Sequence, residues 1–153
     1  MKNSITKKNI DKIQNFAKKV LRKSGGTRQS LASLATDNCS ELSRLAGCFV
    51  LKSFPEAVVH VLKGNRVCNT KQSHDILAIQ EKNVVYAIDP SVWQFFPRKR
   101  SIFVSDERNL QDSLKTAKKI YGGMWKVSEK LSLRKCQKDK GKWLTVINQN
   151  NKK

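Results

Sequence analysis

The chain is expected to fold as an α+β domain. Helix-period apolar spacing fills its first third, and short runs rich in branched and aromatic residues, each closed by turn signals, fill most of the rest. Its 153 residues suffice for one sizeable core. Neither an internal repeat nor a linker divides them, so we read a single domain: a basic helical segment over 1–35, a core over 36–133 and a basic tail over 134–153.

Over residues 4–23, Ile5, Ile10, Ile13, Phe16, Ala17, Val20 and Leu21 recur near helical period with Lys and Arg opposite them. Ser24, Gly25, Gly26 and Thr27 are the stop, and a short second helix covers 29–35. From Asn38 the helical period resumes through Cys39, Leu42, Leu45, Ala46, Phe49 and Val50. Asn38 followed by Glu41 reads as a capping box, which puts Cys39 at the first helical position, and the helix should stop before Pro55. Strands are expected at 57–64, 74–80, 84–89, 101–105 and 124–133, with a helix over 106–121 closed by Gly122 and Gly123. Residues 134–143 read as a basic turn, followed by a short apolar piece and a polar tail.

Thirty-one Lys and Arg against 12 acids give a formal charge of +19. A surface that positive attracts polyanions: nucleic acid, an anionic membrane face or an acidic protein. No apolar run approaches the roughly 18 residues needed to cross a bilayer, and the first residues lack an apolar signal core, so a soluble chain without its own export signal is expected. Cys39, Cys48, Cys68 and Cys136 form no CxxC pair, and two histidines offer no zinc spacing, so neither metal nor cofactor is expected. An even count allows two disulfides, but a chain this long holds a core without staples and we read the thiols as free.

Cysteine attacks as its thiolate, which the unpaired N–H groups and dipole of a helix N-terminus stabilise, and Cys39 is placed there. Cys48, one helix interior further on, gains little from the dipole. If Lys82 and Asn83 form a two-residue hairpin turn, Glu81 faces Val84, and His74 and Asp89 become diagonal neighbours on one sheet face. Such neighbours have Cα atoms about 7–8 Å apart, within reach of a carboxylate and an imidazole, whereas a three-residue turn would send Asp89 to the other face. A histidine held by a carboxylate is fixed in one tautomer and stabilised as imidazolium, as the base for a cysteine nucleophile requires. Cys39, His74 and Asp89 are therefore the candidate triad, with His60 the competing base and Trp93 a candidate wall of the cleft.

The order of helix cysteine, strand histidine and strand aspartate, carried by Asn38–Cys39, His74 and YAIDPSVWQF at 86–95, resembles the papain-like fold cysteine hydrolases. The likeness is greatest to the toxin domains that end bacterial polymorphic and contact-dependent inhibition proteins, and to deamidase effectors with the same core. It covers roughly 36–97 and implies a papain-like core in which Cys39 attacks a carbonyl, His74 is the base and Asp89 orients it. The oxyanion would be held by the Cys39 N–H and a second donor, Asn38 or Gln72; the glutamine that such enzymes place before the cysteine is absent from the matching position.

The resemblance further implies a domain delivered from a secreted carrier into the cytoplasm of a target bacterium, with an acidic immunity protein as partner, and a monomer by itself. Two other readings stand beside protein amide hydrolysis or deamidation. One is an RNA-targeting, tRNA-cleaving toxin; the other is a non-catalytic basic nucleic-acid-binding module. Lys18, Lys19, Arg22, Lys23, Arg98, Lys99, Arg100, Arg134 and Lys135 are the candidate contacts to nucleic acid or partner.

Overall fold

The structure is a computed structural model that describes residues 5–26 and 28–152. The expected helix start at residue 4, and Thr27 among the stop signals, lie outside the described residues. In chain order the elements are α1 (Lys7–Gly25), α2 (Leu31–Ala35), α3 (Cys39–Ser53), β1 (Val58–Asn65), β2 (Ser73–Glu81), β3 (Val84–Ile88), β4 (Phe103–Glu107), α4 (Leu110–Tyr121), β5 (Met124–Lys130) and α5 (Leu133–Asn151). Among the described residues this is an α+β architecture of five α-helices and one sheet of order β4-β3-β2-β1-β5, antiparallel at every pairing.

Strand alternation explains the layering, because odd and even positions of β2 face opposite ways. Leu77 and Ile79 join Val59 and Val61 under α1, α2, α3 and α5, while Ile76 and Ala78 join Leu62, Val85, Ala117 and Tyr121 under α4. The central strand is thus buried on both faces. The helix termini follow local chemistry: Thr6, Ser30, Asn109 and Ser132 each accept a backbone N–H of the first turn they cap. The tight return into β5 uses Gly123 at φ +77°, where a Cβ would sit 2.2 Å from the Asn65 carbonyl oxygen, so no larger residue fits there.

Three expectations are corrected. Residues 134–153 are not a turn and tail, since α5 runs from Leu133 to Asn151 and buries Cys136, Trp143 and Ile147. Those three residues share one side of a helix, and the charges between them face outward. The thiols are not all free: Cys48 and Cys136 form a disulfide between α3 and α5, leaving Cys39 and Cys68 as thiols. Finally, Asn38 precedes α3 but makes no side-chain capping bond. Its carboxamide is drawn inward instead, donating to the Leu34 carbonyl and to Asn151 and accepting from Asn150.

The disulfide closes a loop across a sequence separation of 88. Removing it as Cys48→Ala with Cys136→Ala is expected to cost about 2–5 kcal/mol in urea unfolding, chiefly by freeing the unfolded chain. An unchanged midpoint would mean that the link does not close in the protein.

Candidate active site

The hairpin that organises the site has the expected register. Glu81 pairs with Val84 and Leu77 with Ile88, with Lys82 at φ +55° in the left-handed region that so tight a turn demands. Beyond Ile88 the pairing ends and Asp89 starts a turn, its N–H held by the Ile102 carbonyl. His74 Nε2 donates to Asp89 Oδ2 at 2.7 Å, with both residues fully buried.

Tyr121, the last residue of α4, donates its hydroxyl to the same Asp89 oxygen at 2.5 Å. Asp89 Oδ1 accepts the Ser91 N–H at 3.1 Å, so both carboxylate oxygens are occupied. Sequence reasoning missed Tyr121. Its only signal was a helix-terminal tyrosine, and the contact joins residues 32 apart through the sheet's packing rather than through local spacing.

Burial by itself pushes an imidazolium pKa down, but the Asp89 carboxylate, through its charge and its hydrogen bond, outweighs that. Together with the neighbouring Cys39, it raises His74 to about 10. Burial, and then the Asp89 charge, push the Tyr121 phenol well above its ordinary range, so it remains a donor. Phe95 meets the His74 ring edge to face at 4.8 Å.

Nε2 is committed to Asp89, so Nδ1 is the ring nitrogen left for chemistry, and it is buried without a hydrogen-bond partner. Cys39, half-buried at the first position of α3, is near enough to contribute to the imidazole's raised pKa. The structure therefore brings the three candidate residues into one place.

The other candidates are placed elsewhere. Both Nδ2 protons of Asn38 are spent on Leu34 and Asn151, so its side chain has none for an oxyanion. Gln72 is exposed on the turn before β2, and no hydrogen bond among the described residues fixes its carboxamide. Trp93 is a core residue whose indole donates to the Lys99 carbonyl, with the Lys18 ammonium 5.8 Å from its ring. His60 pairs with Ala78 on β1, four residues along from Gly64, which faces His74; that is about 13 Å at strand rise. Burial, and then Lys130, lower its pKa, the opposite of a base readied by a carboxylate.

Of the basic candidates, Lys19, Lys23, Arg98, Lys99, Arg100 and Arg134 are exposed, Arg22 donates to the Gln29 carbonyl, and Lys135 pairs with Glu129. Among the described residues no cluster of His, Cys, Asp and Glu is arranged to hold a metal, and no helix is long and apolar enough to cross a membrane. No protein-family model matches the chain, and neither a curated protein nor a solved structure matches it.

Proposed function

We propose that the chain is an antibacterial toxin effector domain with a papain-like cysteine site that hydrolyses or deamidates a protein amide. The observation that carries this reading is the buried His74, bound through Nε2 to Asp89 and left with an unpartnered Nδ1 beside a half-exposed thiol at a helix N-terminus. In the reaction, Cys39 Sγ passes its proton to His74 and attacks the amide carbonyl, and the Cys39 N–H, unpaired at the first position of α3, donates to the oxyanion. The C–N bond breaks as His74 gives its proton to the leaving nitrogen. Water then adds to the thioester with His74 as base, releasing the acid and restoring the thiol. Asp89 and Tyr121 hold the ring throughout.

The net charge of +19 supports an acidic immunity protein as partner, with fast and salt-sensitive association. The Cys48–Cys136 disulfide supports passage through an oxidising space, as delivery from a secreted carrier to a target cell would involve.

A second reading, cleavage of RNA, draws on the exposed Arg98, Lys99 and Arg100 and on a proton-loaded His74, because attack by a 2′-hydroxyl needs an acid and base but no thiolate. Inducing the wild-type chain and Cys39→Ala in bacteria, with total RNA run on a gel, separates the two. Arrest with intact RNA, abolished in Cys39→Ala, is the expected result. RNA that is degraded in both strains would replace the thiol reading with the nuclease one, and no arrest in either would leave a basic binding module.

A further inference from the structure

Arg44 lies on α3 and touches neither His74 nor Asp89, yet its guanidinium joins the immediate chain neighbours of both Cys39 and His74. Its Nη1 donates to the Ser40 carbonyl at 3.0 Å, to the Ser40 hydroxyl at 2.7 Å and to Asp75 Oδ2 at 3.0 Å. Its Nε donates to Glu129 Oε1 on β5 at 2.6 Å, and Glu129 is held in turn by Lys135 of α5. Ser40 follows Cys39, and Asp75 follows His74. Strand alternation sends the Asp75 side chain to the face opposite His74, so Arg44 grips the start of β2 from behind. Ser43, one residue earlier on α3, repeats the link by donating its buried hydroxyl to the Asp75 carbonyl at 2.9 Å.

We infer that Arg44 is a positioning residue for the thiol site, fixing the first turn of α3 to the first residues of β2 and so setting the approach of Cys39 to His74. This rests on the thiol reading above. The planar fork fixes this link, because Nη1 joins Ser40 to Asp75 while Nε is anchored on Glu129, and one ammonium cannot keep all three partners. A misplacement of about 1 Å at such a site is enough to lose much of its reactivity.

The test needs no substrate. The rate of alkylation by iodoacetamide is followed between pH 5 and 9, with mass spectrometry of the peptides reporting Cys39 and Cys68 separately. In the wild-type chain Cys39 should react at pH 6 at least about tenfold faster than Cys68, a lead that His74→Ala removes. Arg44→Met and Arg44→Lys should each lower the Cys39 rate at pH 6 by about tenfold while leaving the Cys68 rate unchanged, the lysine failing because charge without the fork does not place the helix.

A merely structural role would lower the melting temperature and leave the ratio of the two rates alone; that result, or a wild-type Cys39 profile in the folded variants, overturns the proposal. Should Arg44→Met not fold, Asp75→Asn removes the charge partner at constant size and is expected to give the same selective fall. If Cys39 has no lead over Cys68 in the wild-type chain, or keeps its lead in His74→Ala, the thiol reading fails and the role of Arg44 falls with it. A wild-type lead that persists in Arg44→Lys and Asp75→Asn sinks the positioning role alone.

Discussion

Replacing His74 by alanine should lower stability by about 3–5 kcal/mol in urea unfolding, the cost of stranding one member of a buried charge pair. His74 and Asp89 are both fully buried, and without the imidazole Asp89 Oδ2 retains only the Tyr121 hydroxyl. The loss should shrink when Asp89 is removed as well, since the carboxylate that suffers is then absent; a double-mutant cycle is expected to give a coupling of about 2 kcal/mol. A single variant within about 1 kcal/mol of the wild-type chain would show that no charge is stranded there. The same reasoning makes Cys39→Ala the cleaner probe of chemistry: Cys39 is half-buried, and its loss leaves the buried His74 still bonded to Asp89, so the variant strands no charge.

The wild-type domain should also lose stability as the medium becomes alkaline. His74 is raised to about 10 in the folded chain, against 6.5 when unfolded. Between those two values the native state holds a proton that the unfolded state has released. The contribution of this histidine is therefore complete below pH 6.5 and is lost as pH rises through about 10, at up to about 1.4 kcal/mol per pH unit. Unfolding midpoints measured at pH 6, 7, 8, 9 and 10 should decline over that window. In Asp89→Asn, which keeps the hydrogen-bonding shape but not the charge, the decline should flatten. An equal slope in the variant would assign the alkaline loss to other groups.

The hairpin was legible because two runs rich in branched and aromatic residues flank a two-residue turn, and that turn length sets the register that leads His74 and Asp89 towards each other, with the Ile102 carbonyl holding Asp89 where the pairing ends. Cys39 was legible as the start of a helix, although for a reason the structure revises: Asn38 sits just before the helix but spends its carboxamide on Leu34, Asn150 and Asn151. A capping motif reads only local spacing, and two of the three competing partners, Asn150 and Asn151, lie over a hundred residues away, beyond what local spacing reports. The last helix was missed because Gly141 and its lysines read as a turn, while the apolar spacing of Cys136, Trp143 and Ile147 was diluted by the charges between them. Tyr121 and Arg44 belong to the same class. Each is an ordinary helix residue until the sheet brings a distant partner to it.

The link between Cys48 and Cys136 also has a topological consequence. It makes a covalent ring that contains His74, Asp89 and Tyr121 but leaves Cys39 outside it. A polypeptide drawn lengthwise through a narrow pore passes as one thread, but a ring must pass folded double, so transit in extended form requires that the bond be cut first or formed afterwards. Pulled from its two ends, the oxidised chain should lengthen by about 300 Å less than the reduced one, the contour hidden by a separation of 88 residues.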